Sequence, residues 1–251
     1  MRLIFLALKL NFETGGGSAK ELDTKIKELI KQGHTATVVT IFSKQNRLAI
    51  KTSYPIVEEQ IQSLSLFNIQ KSVYRLLKKY ELQADMFLVD GQFAYGSGFY
   101  RIKKGSKPVL VHFNRELSSF PESTREISQS ISLKQVFRFW LERLIGFRLI
   151  NFNDLLTFTS PYLLDLFVKY GVDIAKTQVI PDFFDSKEFQ NNNFQAEVIL
   201  KNRFKNNEVC SIFCTGRMVA EKGFDIVLRA LAVLLKNGDK YQLALSGDGP
   251  E

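Results

Sequence analysis

Arg217 and Lys222 lie in the segment TGRMVAEKG, between an apolar run, VCSIFCT, and an apolar helical pattern, FDIVLRALAVLLKNG. The run reads as a strand and the pattern as a helix, so both cations fall in the turn at the carboxyl end of a strand. In open α/β sheets ligands collect at that edge, and the amides opening the next helix favour anions. Arg grips a phosphate through two N–H groups and Lys adds a point charge, a pairing suited to a diphosphate. Two solvated loop cations are the plain alternative.

A second anion-compatible element is Gly15-Gly16-Gly17-Ser18, where bare amides would meet a ligand's phosphate or sugar at the start of a helix. A tight turn needing positive φ explains the same glycines. His112 stands near the end of PVLVHF, where an imidazole can hold a substrate hydroxyl or steady developing charge. His34, in QGHTATVVT, falls at the opposite edge and reads as structural. Asp90 ends MFLVD beside Gly91, with sugar hydroxyls or loop capping as its alternatives. Glu116 and Asp185 have no partner at a spacing that suggests a two-carboxylate glycosidase. The chain has no G-x-x-x-x-G-K-[ST], full G-x-G-x-x-G, H-E-x-x-H, C-x-x-C or G-x-S-x-G. With two histidines, a multi-histidine metal site is not expected.

Alternating strand and helix patterns must position these groups. Residues 2–10 are a continuous apolar run, as in a strand covered on both faces of a parallel sheet. A helix follows from Ser18 to Gly33 with Ala19, Leu22, Ile26, Leu29 and Ile30 on one stripe, and TATVVTIF is the next strand. Strand, glycine loop, helix and strand make one right-handed βαβ unit. Further on come a helix over 68–80, strand MFLVD, a glycine-rich loop GQFAYGSG, a basic connector RIKKGSK and strand PVLVHF. NRELSSFPESTREISQS reads as a loop. From Leu133 to Arg148 runs an aromatic, basic helix, read either as a core helix with a solvated basic face or as one lying on an anionic membrane. LINFNDLLTFTS returns to strand character, SPYLLDLFVKYG is a helix with Pro161 in its first turn, and TQVIP is a short strand. After Pro181, DFFDSKEFQNNNFQ reads as a linker and AEVILKNRF as a short helix, before a second βαβ unit from Val209 to YQLALSGDGP.

Composition sets the limits. The 251 residues are 45% hydrophobic and 24% charged, ordinary for a globular protein, and the formal net charge is +8. That excess of cations suits an anionic partner without choosing among nucleotide, nucleic acid and lipid surface. Cys210 and Cys214 share one predicted strand about 13 Å apart. That exceeds the roughly 7 Å a disulfide spans, so they read as reduced core residues of a cytosolic protein. In MRLIFLALKL the apolar run stops at Lys9 with no cleavage site after it, and no run approaches the roughly 18 apolar residues of a membrane span.

Taken in order, GGGS, QGHTATVVT, VIPDFFDSKEF, TGRMVAEKGFDIVLRALAVLL and LALSGDGPE resemble the retaining glycosyltransferases of the GT-B fold, family 4 of the group 1 type. The resemblance implies an α/β protein with a complete Rossmann-like acceptor-side domain over 1–180 and a linker and short helix over 181–207. Residues 208–251 would be the first βαβ unit of a nucleotide-sugar-binding domain. It further implies transfer of a sugar from a nucleotide-diphosphate donor to a glycan or lipid-linked acceptor. Gly16 and Gly17 would line the sugar and phosphates, Arg217 and Lys222 would bind the donor diphosphate, and His112 would act at the transferring sugar. Gly247 and Gly249 would border the nucleoside, with Asp90 in the sugar vicinity. No metal and no cofactor beyond the nucleotide sugar are implied, nor any nucleic acid. The implied location is cytoplasmic, with peripheral contact at the anionic inner face of the membrane. Two departures stand out: VIPDFFD replaces the family's usual Asn-Gly pair, and Glu251 is reached before the family's paired glutamates, as expected of a truncated, split or partial chain. A non-catalytic glycan- or partner-binding module and a sugar-nucleotide epimerase are the competing readings.

Overall fold

Strand β1 (Arg2–Ala7) is buried at every position from Leu3 onward, the pattern of a strand covered on both faces. Because side chains alternate along a strand, Leu3 and Phe5 join one core with Ala19 and Ile26, while Ile4 and Leu6 join another with Val73 and Leu77. The computed structural model describes residues 1–7, 17–42, 52–61, 65–117, 133–182, 209–238 and 240–249. The chain divides into two units, Met1–Phe184 and Asp185–Glu251.

In the first unit seven strands form one parallel sheet in the order β3-β2-β1-β4-β5-β6-β7. They are β1, β2 (Thr35–Phe42), β3 (Ile56–Gln60), β4 (Met86–Asp90), β5 (Val109–Phe113), β6 (Leu155–Phe158) and β7 (Thr177–Val179). The order reverses between β1 and β4, which makes their carboxyl ends the topological switch point where open α/β sheets bind ligands. Helix α1 (Gly17–Lys31) packs on one face. The other face carries α2 (Leu66–Tyr80), α3 (Ala94–Ile102), a segment over 133–151 and α6 (Pro161–Lys169). That segment comprises α4 (Leu133–Leu141), a π-helical turn (Glu142–Gly146) and α5 (Phe147–Asn151).

The helix ends follow from local chemistry. Ser160 accepts from the Leu163 amide at 3.2 Å ahead of Pro161, and Ser65 accepts from the Asn68 amide at 3.4 Å. At the end of α1, Gly33 has φ +85°, its amide donates to the Ile30 carbonyl and the His34 amide donates to Leu29, a glycine-terminated cap.

The structure departs from the sequence expectations at several places. GQFAYGSG is not a loop: Gly91–Phe93 form a 3-10 turn and the rest opens α3. Its glycines serve close packing, since a Cβ on Gly96 would overlap the Gln70 carbonyl oxygen and one on Gly98 the Leu149 carbonyl oxygen. Strand β3, IVEEQ, gave no signal because its residues are partly polar and lie at a sheet edge. The helix from Leu133 runs on to Asn151 through the π turn, so LIN is helical before β6 begins at Leu155. The connector residues Arg101 and Ile102 belong to α3. The GGG loop before Gly17, residues 8–10 of the first run, the Ser-rich stretch from 118, most of the linker with Asp185, and AEVILKNRF lie outside the described residues.

The second unit holds β8 (Cys210–Thr215), α7 (Phe224–Lys236) and β9 (Tyr241–Ser246), with the two strands parallel. Two strands and one helix leave faces uncovered, and Phe213, Ile226 and Val233 are each at least 59% exposed. The cysteines are free, but Cys210 is exposed and Cys214 partly so, which corrects their assignment to a core.

Gly98→Ala should lower stability by about 3 kcal/mol or more, because the new methyl meets backbone that cannot rotate away. Gly33→Ala, with open space around it but a left-handed φ, should cost about 1 kcal/mol. Urea midpoints check both, and similar values for the two would contradict the packing explanation.

Candidate functional site

Parallel pairing sets Asp90, His112 and Thr157 side by side across β4, β5 and β6 near their carboxyl ends. Alternation along β5 sends Val109, Val111 and Phe113 into the larger core, and leaves Leu110 and His112 on the face that α1 covers. Here α1 contributes Glu21 and Lys25, and the chain leaving β7 contributes Asp182.

Each nitrogen of the His112 ring has a polar neighbour. Nδ1 lies 2.9 Å from Thr157 Oγ1, and Nε2 lies 3.0 Å from Lys25 Nζ. An ammonium only donates, so Nε2 accepts and the ring proton sits on Nδ1. The Thr157 hydroxyl takes that proton as a hydrogen bond and donates its own to the Val111 carbonyl, 3.4 Å away. Lys25 is also ion-paired with Glu21, one helical turn before it, and Glu21 Oε1 is 3.7 Å from His112 Nε2.

Glu21 is only 8% exposed. Burial alone would raise its pKa, but the adjoining His112 ring and the Lys25 ammonium outweigh that and draw it down to about 2. Asp182 moves the other way: burial and the neighbouring Glu21 carboxylate push it up. The ligand atoms of Glu21, His112 and Asp182 lie within 4.8 Å of one another, a spacing a cation can bridge. Lys25 already brings its ammonium to that place. Asp90 accepts from the Gln92 amide at 3.1 Å, capping the turn after β4, and burial raises its pKa against the pull of that amide, Arg115 and His112.

Beside this row the sheet and α1 enclose a cavity of about 340 Å³, walled by Phe5, Leu22, Leu88 and Leu110 and edged by Asp90, His112 and Asn114. A second cavity of about 360 Å³ shares Asp90 and Asn114 and is lined further by Gln92, Arg115 and Glu142. Apolar walls with a few convergent polar groups at a switch point make a binding site for a small polar ligand.

In the second unit the loops after β8 and β9 run together. Gly216 donates to the Ser246 carbonyl at 3.0 Å and Met218 to Asp248 at 3.0 Å. Gly247 and Gly249 owe their identity to this approach, since a Cβ on either would overlap the carbonyl oxygen of Gly216 or Met218. Arg217 and Lys222 are exposed on the first loop and its 3-10 turn (Ala220–Lys222), directly before α7. Gly223 separates turn from helix with φ +65°.

Of the residues singled out from sequence, His112 and Asp90 share one edge, and Arg217, Lys222, Gly247 and Gly249 share the other unit's paired loops. Gly17 is the first residue of α1, and Gly16 lies outside the described residues. Glu21, Lys25, Thr157 and Asp182 were not anticipated. Glu21 and Lys25 did carry a signal, an i,i+4 acid–base pair adjoining the apolar stripe of α1.

A seven-stranded parallel sheet with a polar row at its switch point, followed by a second βαβ unit whose first turn carries cations, is the layout of the GT-B fold. The chain belongs to Glycosyltransferase Family 4, whose profile matches residues 15–188. It is 25% identical over 251 residues to the alpha-monoglucosyldiacylglycerol synthase of Streptococcus pneumoniae, covering 95% of this chain and 54% of that protein. Among solved structures, Anabaena HepE in complex with UDP superposes with a TM-score of 0.68 at 18% identity, over 99% of this chain and 61% of HepE. The sucrose-phosphate synthase of Thermosynechococcus elongatus gives 0.67 at 14% identity, over 98% and 62%. The chain thus spans about half the length of the first relative and about three fifths of these structures.

The lowered pKa of Glu21 gives a signed prediction. Its charged form favours folding, so its contribution is complete above the roughly pH 4.3 of an unfolded glutamate and fades as pH falls towards about 2. Glu21→Gln should therefore destabilise most at neutral pH, with the difference from wild type shrinking below about pH 4. Denaturant midpoints across that range check it, and a pH-independent difference would contradict the ion pair.

Proposed function

We propose that the protein is a retaining glycosyltransferase that moves a hexose from a nucleotide-diphosphate sugar to a hydroxyl of a glycan or lipid-linked acceptor. The observation that carries this is the Asp90–His112–Thr157 row over an apolar-walled cavity at the switch point of a family 4 chain. HepE was crystallised with UDP and with UDP-glucose, which supports a nucleotide sugar as donor. The name of the pneumococcal relative denotes a synthase of monoglucosyldiacylglycerol, which supports a lipid acceptor.

In this reading the residues divide the work by charge. Arg217, Lys222 and the amides opening α7 neutralise the diphosphate as it leaves, where negative charge grows most in the transition state. With its proton held on Nδ1 by Thr157, His112 presents the Nε2 lone pair, which accepts from a sugar hydroxyl when that hydroxyl takes the place of Lys25. Glu21 ion-pairs Lys25 and holds it beside His112 until the sugar hydroxyl replaces it. Asp90 holds the turn beneath the sugar, and Gly16, Gly17, Gly247 and Gly249 admit the donor to close backbone approach. Protein cations supply the neutralisation, so no metal is called for. An excess of cations and an acceptor in the lipid phase support a cytoplasmic protein in peripheral contact with the anionic inner face of the membrane.

Combining Arg217→Ala with Lys222→Ala should lower sugar transfer from UDP-glucose by roughly 10²-fold or more, measured as UDP release in the presence of diacylglycerol. Unchanged turnover would remove the diphosphate assignment. UDP-glucose binding without any turnover in the wild type would favour a non-catalytic binding module instead.

A further inference from the structure

An amphipathic helix on a globular protein turns its apolar stripe inward, and the segment over 133–146 turns it outward. Leu133, Val136, Phe137, Trp140, Leu141 and Leu144 recur at three- and four-residue steps, and each is between 43% and 89% exposed. The segment is held to the fold by other residues. Glu142 and Gly146 of the π turn and Phe147 and Ile150 of α5 are buried, with Phe147 ring-stacked on Tyr170 at 6.0 Å. The stripe is therefore not the underside of a helix awaiting its own core. It projects from an anchored base, and Arg143 and Arg148 are exposed along the same stretch.

We propose that this face lies on an anionic lipid bilayer, with the Phe137 and Trp140 rings and the aliphatic side chains entering the headgroup boundary and the arginines pairing with lipid phosphates. The proposal deepens the peripheral-contact reading above by naming its surface, and it rests on that reading. Charge selects the occupant. The chain carries a net charge of +8, and a second copy meeting this face about a two-fold axis would set Arg143 and Arg148 against their own kind. An anionic bilayer satisfies both the apolar stripe and the guanidinium groups. No helix among the described residues is long and apolar enough to cross a membrane, so the segment would lie on the surface without spanning it. Long arginine stems suit that depth, since they stay apolar along their length while the head group reaches phosphate.

Trp140 is the only tryptophan in the chain, so its fluorescence reports this face directly. The chain is mixed, without donor sugar, with vesicles of equal parts phosphatidylcholine and phosphatidylglycerol, and separately with phosphatidylcholine alone. The expected result is flotation with a blue shift of Trp140 on the anionic vesicles, weakening as salt rises. Phe137→Ser combined with Leu144→Ser should reduce partitioning at least about tenfold while leaving thermal unfolding unchanged, because both side chains are exposed. Arg143→Gln with Arg148→Gln should reduce it roughly tenfold at low salt. If the apolar variant floats as well as wild type, the chain meets lipid elsewhere: this surface falls and the peripheral reading stands. If wild type neither floats nor shifts, both fall. A blue shift that grows with protein concentration in the absence of vesicles would assign the face to a second copy and overturn the proposal.

Discussion

Glu21 and Lys25 form a buried ion pair on α1, directly over the strand ends, and the arrangement at the switch point depends on it. Removing two charges from water costs several kcal/mol that their attraction only partly returns, so such a pair is a poor device for stability alone. Its effect is on position. Lys25 meets His112 Nε2 at 3.0 Å, which directs the ring proton to Nδ1 and so to Thr157, and the hydroxyl of Thr157 passes the constraint on to the backbone of β5. Asp182 approaches the same carboxylate, and burial together with that neighbouring negative charge raises its pKa. One helix, three strands and the chain after β7 are thereby tied to a single imidazole.

The row can be held this firmly because its other side is rigid. Phe113 and Phe158 each follow a row residue in sequence and so face the larger core, where their rings stack with centroids 5.1 Å apart and both pack on Phe167 of α6. Gly91, Gly96 and Gly98 let the turn after β4 and helix α3 settle against Phe113, α2 and α5 without side chains between them. The face under α1 is covered more sparsely, and the cavity of about 340 Å³ is the space that remains. A well-packed layer on one side and an open layer on the other is what a binding edge requires, since the packed side supplies the geometry and the open side admits the ligand.

Much of this was legible in the sequence. Continuous apolar runs and the stripe on α1 predicted a parallel α/β sheet, because period-2 and period-3.6 burial leave separate imprints on residue order. Ser160 and Gly33 marked helix ends through local hydrogen bonding, which needs no tertiary partner. His112 and Asp90 could be singled out as candidates because a polar residue closing an apolar strand is conspicuous, and Arg217 and Lys222 because they lie between such a strand and its helix. The glycines misled where their cause was distant. GQFAYGSG looked like a loop since glycine is a local helix breaker, yet it is helical where backbone from α2 and α5 comes too close for any side chain.

What the tertiary structure alone decided was proximity between residues far apart in the chain. Lys25 and His112 are separated by 87 positions and His112 and Thr157 by 45, and no periodicity reports such a distance. Likewise, sequence determined that residues 133–146 carry an apolar stripe, but its direction depended on which neighbours anchor the helix. Glu142, Gly146 and Phe147 turned inward, so the stripe turned out. Residue order sets which side chains share a face, whereas the packing of whole elements sets what that face meets.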